Sequence, residues 1–415
     1  MKTLSAIQIL RAIAALIVVV DHAILRQAEW APTDQLTKEI ANHMGALGVW
    51  IFFIISGFIM SYTNYDNFGV SGAPGRFMAS RIIRIVPIYW LATAVEVALR
   101  LRHGSDLDVH RLIFSLFFIP VAVELGTTAA MRPTLGVGWT LNYEMMFYAC
   151  FGSVLFLSRK KGLAVLLLAM TGAVLAGTFF KPIVETRDPT SLIAFYSAPI
   201  LLLFGVGVLI GAVARFFEGV HAHGSSAALL SVLAALLVVD VSLFARFVGS
   251  YPAPIEWLVT FWIISAACVV LCAMVRIGDT GWFIQKLVRL GDASYSLYLF
   301  HFFAIVAVEK LWWWCFGGNG SWIFVFVSAA VAILASLAIH RFVEQPVCNR
   351  LRKLIALVKA RRSFRRGGIP DPARRGAVET TAAARKGAER QFGPSHLAES
   401  RRTNFLQDIA ARRVR

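Results

Sequence analysis

Long apolar runs alternate with short polar breaks along most of this chain. The runs fall at roughly 6–25, 46–64, 84–101, 140–158, 163–180, 192–214, 227–248, 255–275, 293–315 and 321–343. Each is near the ~20 residues a helix needs to cross a bilayer. None alternates with period two, which excludes a transmembrane β-barrel. The pattern therefore predicts an all-α, polytopic transmembrane bundle of about ten helices. A shorter apolar stretch at 112–123 contains Pro120 and is marginal for crossing, so it is expected as a re-entrant or interfacial piece. The first run could pass for a signal peptide, but Arg11 interrupts it and no small-residue cleavage site follows. It is expected as a retained first helix.

Charge orients the bundle. With the N-terminus inside, the tight Arg159-Lys160-Lys161 turn falls on the inner side, as do Arg76, Arg81 and Arg84, and the whole C-terminal tail. That agrees with the excess of Lys and Arg on cytoplasmic loops. Making 112–123 a full span would move the turn and the tail outside. Ten spans, with both termini cytoplasmic, is the economical topology.

The composition excludes an ordinary soluble enzyme. Hydrophobic residues make up 58% and charged residues 16%, against about 45–50% and about 25% in soluble chains. The net charge of +17 is mostly a property of the tail: residues 349–415 carry 18 basic and 5 acidic groups, the rest 23 and 19. After so many spans a basic tail lying on anionic lipid is expected, not a nucleic-acid partner. Within it, Leu351, Leu354, Ile355 and Val358 follow helical spacing among Arg and Lys, which predicts an amphipathic interfacial helix over 349–366. Residues 367–415, rich in Gly, Pro, Ala and Arg, are expected to be disordered. The membrane domain is then 1–348. Of the five cysteines none forms a C-x-x-C pair or a Cys/His cluster, so no metal site or disulfide framework is indicated.

A charge inside a span costs about 2.5–3.5 kcal/mol on insertion scales, so each needs a reason. The groups are Arg11, Asp21, His22, Glu144, Asp240, Glu256, His301, Glu309, His340, Arg341 and Glu344. Arg11 and His22 are eleven positions apart, which puts them on one helix face with roughly 16.5 Å between them. A cation at one end and a proton acceptor at the other suit an extended anionic ligand. A snorkelling arginine and a histidine at headgroup level would give the same spacing. Asp21 lies about 100° off that face and is expected to pair elsewhere or meet water. Glu144 stands at the start of its span, where an interfacial position would also explain it. Arg81 and Arg84 anchor the inner side, and Arg also matches phosphate geometry bidentately.

These groups occur in an ordered set of motifs. Arg11-x10-His22 is followed by Phe52-Phe53-Ile54-Ile55-Ser56-Gly57-Phe58, then by Arg81-Ile82-Ile83-Arg84-Ile85-Val86-Pro87, then by Trp139-Thr140-Leu141-Asn142-Tyr143-Glu144. Near the end stand Ser294-Tyr295-Ser296-Leu297-Tyr298-Leu299-Phe300-His301 and Glu344-Gln345-Pro346. The set resembles the membrane-bound acyltransferase 3 family, and within it the single-domain exopolysaccharide O-acetyltransferases. The resemblance covers about 1–348. It implies acetyl-CoA as donor co-substrate with no permanently bound cofactor. It also implies a polysaccharide or lipid-linked oligosaccharide acceptor and a bacterial inner-membrane location. Functional roles for Arg11 and His22 are implied too.

On that basis His22 is the expected general base, since a sugar hydroxyl is a poor nucleophile and a positioned base contributes about 10²–10⁴-fold. An acyl-histidine intermediate is the alternative chemistry. Arg11 would neutralise coenzyme A phosphates, with Arg81 and Arg84 assisting. Glu144 would orient His22 or the acceptor. Trp139 and His301 are expected at the donor or substrate site, His301 as a second candidate base. Ser56, Gly57 and Phe58 would permit a close helix approach at the donor channel, or serve packing. Two other classes fit a polar bundle: a glycan transporter or flippase without acyl chemistry, and a scaffold whose basic tail recruits polysaccharide-assembly proteins.

Overall fold

The computed structural model describes residues 4–125, 128–180, 191–216, 222–247, 255–277 and 281–366. The helices are α1 (Ser5–Gln27), α2 (Gln35–Thr63), α3 (Ala73–Arg102), α4 (Val109–Leu116), α5 (Trp139–Val154), α6 (Arg159–Phe180) and α7 (Leu192–Tyr196). They continue as α8 (Leu201–Phe216), α9 (Ser226–Phe247), α10 (Ile255–Met274), α11 (Trp282–Asp292), α12 (Ser294–Phe316), α13 (Trp322–Ile339) and α14 (Gln345–Arg366). A π-helical segment, His340–Glu344, joins α13 to α14. Strand is confined to an antiparallel hairpin, β1 (Val121–Leu125) with β2 (Thr128–Arg132), and a parallel pair, β3 (Ala222–Gly224) with β4 (Val275–Ile277).

Among the described residues nine helices are long and apolar enough to cross a membrane. They match the expected runs except the fourth. That one is α5, which has 16 residues and is preceded by a 3₁₀ turn at Gly136–Gly138. The protein is a multi-pass membrane protein of the all-α class. The 112–123 stretch is not a crossing helix: α4 spans eight residues and the chain then enters the β1–β2 hairpin. Large apolar side chains such as Leu168, Val238 and Phe326 point outward, as a lipid-facing surface requires. The chain divides into two units, Met1–Asn349 and Arg350–Arg415. In the second, α14 continues to Arg366, where an amphipathic helix was expected. The expected disorder of 367–415 lies outside the described residues.

Local chemistry sets the elements around the site. Asp34 caps α2, its carboxylate accepting from Thr37 N at 2.8 Å and Thr37 Oγ1 at 2.7 Å. Those bonds hold the Asp34 carboxyl below its ordinary range. Within α3, Pro87 has no N–H to offer the carbonyl one turn back, which is that of Ile83. The Cys348 thiol donates to that Ile83 oxygen at 3.4 Å, and Tyr295 donates to the Ile85 oxygen at 2.7 Å. The irregular turn is thus satisfied from two other helices at the level of Arg84. Where α11 turns into α12, Gly291 sits against α1 so closely that a Cβ would lie 1.9 Å from the Gln8 oxygen. Only glycine lets α12 begin beside Arg11.

Candidate functional site

Five helices meet around one cavity of about 100 Å³. Its polar lining comprises Arg11 from α1, Ser56 from α2, Arg81 and Arg84 from α3, Thr140, Glu144 and Tyr148 from α5, and Ser294, Tyr295 and Tyr298 from α12. Arg11 is 8% exposed and donates to Gln8 Oε1 at 3.0 Å and Ser294 Oγ at 2.8 Å. Glu144 accepts from Ser56 Oγ at 3.2 Å and from the Tyr148 hydroxyl. The Arg81 guanidinium lies over the Phe77 and Tyr148 rings, at 5.6 and 5.8 Å from their centres. Its Nε is buried without a hydrogen-bond partner among the described residues. An unpaired buried donor costs about 1–3 kcal/mol, so the site is unfinished without an acceptor. Three guanidinium groups against one carboxylate leave the cavity electropositive and suited to phosphate.

A second polar centre lies farther along the same seam. His22 from α1 and His301 from α12 meet edge to face, ring centres 5.0 Å apart. His22 Nδ1 is 2.8 Å from the Val18 carbonyl and 3.2 Å from Asp21 Oδ2. The Val18 carbonyl can only accept, so Nδ1 carries the proton and Nε2 keeps its lone pair. His301 Nδ1 faces the carbonyls of Leu297 and Tyr298 at 3.1 and 2.8 Å, which fixes the same tautomer. His301 Nε2 is buried with no partner among the described residues. The two imidazoles thus lie side by side with Nδ1 engaged on each, and a hydroxyl bound against His22 would find a proton acceptor at its Nε2. Tyr298 connects the two centres: it lines the cavity, and its ring centre is 6.1 Å from that of His301.

α1 and α12 run parallel and in register. Arg11 pairs with Ser294 and Arg26 with Glu309, at the same separation of 283 residues. The His22–His301 contact falls between those two pairs. The shared face expected for Arg11 and His22 is the face that α12 covers.

The structure brings Arg11, Ser56, Arg81, Arg84 and Glu144 into one cavity, and places His22 and His301 together at the next level. Glu144 hydrogen-bonds to Ser56 and Tyr148 at the Arg end, not to His22. Gly57 and Phe58 stand apart from the cavity. Gly57 faces α8, where a Cβ would lie 2.1 Å from the Phe204 oxygen, and Phe58 stacks on Tyr62 at 5.4 Å. Trp139 lies at the start of α5 with its ring 6.0 Å from Tyr143, while its neighbour Thr140 lines the cavity. Asp21, expected to pair elsewhere, bends back to His22. Gly45 makes this possible, since a Cβ there would lie 2.0 Å from Asp21 Oδ2.

Sequence reasoning assigned no role to Tyr148, Ser294 or Tyr298. Tyr148 lies four residues after Glu144 and so shares its helix face. Ser294 and Tyr298 stand within a quoted motif, but nothing in the pattern said which of its polar groups face inward. His43 was also missed, because it precedes the apolar run of α2. Its Nε2 meets Asp240 Oδ1 at 2.5 Å, both side chains buried, with Phe244 stacked on the imidazole at 4.1 Å. This supplies a partner for a membrane carboxylate that had none. Glu344 likewise accepts from Ser296 at 2.6 Å and from His340 at 2.9 Å. The side chain of Glu256 lies outside the described ones.

The family model described as an acyltransferase domain matches residues 4–341, which include every residue of both centres. The chain belongs to the acyltransferase 3 family. Among curated relatives it is 34% identical to the exopolysaccharide production protein ExoZ of Rhizobium meliloti over 315 residues, 74% of this chain and 91% of that one. It is 26% identical to nodulation protein 10 of Rhizobium leguminosarum bv. viciae, over 75% of this chain and 84% of that one. It is also 26% identical to the acyltransferase MdmB of Streptomyces mycarofaciens, over 82% and 90%. No solved structure matches. The resemblance seen in the motifs is thus supported over nearly the whole membrane domain, and the protein is an acyltransferase.

Proposed function

We propose that the protein transfers an acetyl group from acetyl-CoA to a hydroxyl of a cell-surface or exopolysaccharide sugar, or of its lipid-linked precursor. The observation that carries this reading is the His22 tautomer. Nδ1 is committed to Val18 and Asp21, and Nε2 is left free at one end of a seam whose other end is a cationic cavity. The acceptor hydroxyl gives its proton to His22 Nε2 as its oxygen attacks the thioester carbonyl. The carbon–sulfur bond then breaks, and the coenzyme A sulfur leaves with that proton, returned by the imidazolium. His301 Nε2 shares the hydroxyl's hydrogen bonding. Arg11, Arg81 and Arg84 hold phosphate groups of the donor. Ser56 and Tyr148 hold Glu144 among the three arginines, where it sets their side chains.

The donor is cytoplasmic, so this reading places the Arg11 end of the seam at the cytoplasmic face of a bacterial inner membrane, with both termini inside. The pantetheine arm then threads toward His22 and carries the acetyl group into the bundle. The relative named for exopolysaccharide production supports a glycan acceptor, and the relative named an acyltransferase supports the chemistry. Partners under this reading are acetyl-CoA, the glycan, membrane lipids and polysaccharide-assembly proteins, with no nucleic acid.

The test is release of free CoA from acetyl-CoA by the purified protein in nanodiscs, with and without glycan extract. Glycan-dependent release is expected. Glycan binding without thioester consumption would make the protein a transporter. In the same assay Arg11→Gln is expected to raise KM for acetyl-CoA about tenfold or more, the loss of one charge-assisted contact to phosphate. An unchanged KM would place the donor phosphates elsewhere.

A further inference from the structure

The seam between α1 and α12 does not end at the histidines. One turn beyond His22 on α1 stands Arg26, whose Nε donates to Glu309 of α12 at 2.8 Å. A second nitrogen of Arg26 bonds Glu29. Glu309 is 8% exposed, in a helix the bilayer would enclose. Beyond that pair, in the turn after α1, Trp30 meets Trp313 edge to face with ring centres 5.7 Å apart. The 283-residue separation that relates Arg11 to Ser294 and Arg26 to Glu309 also relates Trp30 to Trp313. The indole Nε1–H of Trp30 is buried with no partner among the described residues. Trp313 is about half exposed.

We propose that Arg26, Glu309, Trp30 and Trp313 form the subsite that binds a glycosyl unit of the acceptor, next to the hydroxyl that is acylated. The composition fits a sugar. A carboxylate and a guanidinium accept from and donate to neighbouring hydroxyls, and an indole face covers the apolar C–H face of a pyranose. The unpartnered Trp30 N–H supplies a further donor. The order along the seam also fits. The cationic cavity, the two imidazoles, the Arg–Glu pair and the tryptophans follow one another. A donor entering from one end and an acceptor from the other would meet at His22. Trp residues at the end of a span often serve only as membrane anchors. Here the ring of Trp30 packs inward, on Trp313 and on Phe324. An ion pair that merely tied α1 to α12 would need neither the tryptophans nor a free donor.

The inference rests on the acyltransferase reading, and its test separates the two. The full-length protein in nanodiscs is assayed for acetyl-CoA hydrolysis without acceptor and for acetyl transfer to base-deacetylated exopolysaccharide oligosaccharides. Binding of a fluorescently tagged sample of the same oligosaccharides is measured alongside. Glu309→Gln retains an oxygen for Arg26 but loses the charge. It is expected to raise the acceptor KM and Kd about tenfold, the loss of one charged hydrogen bond. The charge-swapped pair Arg26→Glu with Glu309→Arg keeps an ion pair between the helices. It is expected to restore thermal stability but not acceptor affinity. Recovery of acceptor KM and Kd in the swapped protein would make the pair a staple and overturn the proposal. Unchanged acceptor KM and Kd in Glu309→Gln would overturn it as well. Tagged oligosaccharide that binds wild type and dissociates from Glu309→Gln, with no CoA release from either, would keep the subsite and remove the acyltransferase reading.

Discussion

His22→Ala is expected to lower glycan-dependent CoA release by about 10²–10⁴-fold, the contribution of a positioned general base. That range corresponds to about 3–5 kcal/mol of transition-state stabilisation. The structure argues for the full loss, because no neighbour can take over unaided. Asp21 reaches the Nδ1 side of the ring, not the Nε2 side. His301 is one ring away, but both of its backbone contacts are at Nδ1, so its own Nε2 is held where its helix puts it. His22→Gln should fail equally, since an amide fills the space and accepts no proton. His301→Ala is expected to lose much less, because it removes a hydrogen-bond acceptor and an edge contact but not the base. The thermal transition should be close to wild type in all three. A His301→Ala defect as deep as that of His22→Ala would show that the two imidazoles act as one unit. Full activity in His22→Ala would remove it from the reaction.

Much of this site was legible in the sequence because membrane segments make polar residues conspicuous. Against apolar runs, Arg11, His22, Glu144 and His301 stand out, and an eleven-residue spacing places the first two on one face. The hydrophobic pattern also gave nearly every crossing helix. What it could not give was the pairing between helices. Alternating spans make α12 parallel to α1, but nothing along the chain says that the two are neighbours or in which register, so the contact of His22 with His301 and the bond from Arg11 to Ser294 could not be read from it. The same gap hid His43, whose interest comes only from Asp240 nearly two hundred residues later. Asp21 was misplaced for another reason. Helical angle describes where Cβ points, and a short carboxylate can still reach the next residue's ring when a glycine opposite leaves room. Glu144 was assigned to His22 or the acceptor because only long-range packing reveals that α2 offers it Ser56, although the four-residue spacing to Tyr148 was there to be read.

The largest effect on stability is expected at the contact of α2 with α8, where glycines from both helices interlock. A Cβ on Gly57 would lie 2.1 Å from the Phe204 oxygen, and one on Gly207 would lie 2.0 Å from the Ile54 oxygen. One on Gly211 would lie 2.5 Å from the Phe58 oxygen. The obstructing atoms are backbone, so no rotamer change relieves them. Gly207 and Gly211 have the four-residue spacing that lets membrane helices approach closely. Alanine at Gly57 or Gly207 must push the helices apart, and overpacking of this kind costs about 1–3 kcal/mol. Spreading α2 also carries Ser56 away from Glu144, so donor binding should fall with stability. The control lies in the same helix. At Gly205 the nearest atom is the flexible Leu167 Cδ2, at 3.3 Å, and at Gly172 of α6 nothing lies within 4 Å. Gly205→Ala should be near neutral, and Gly172→Ala should gain up to about 1 kcal/mol from helix propensity. Thermal unfolding in nanodiscs would rank the four: Gly207→Ala and Gly57→Ala far below wild type, Gly205→Ala close to it, Gly172→Ala at or above it. Ser56→Ala, one residue from Gly57, should weaken donor binding and leave the transition in place. Equal stability across all four glycine variants would mean that α2 and α8 do not approach this closely, and Ser56 would lose the helix contact that holds it against Glu144.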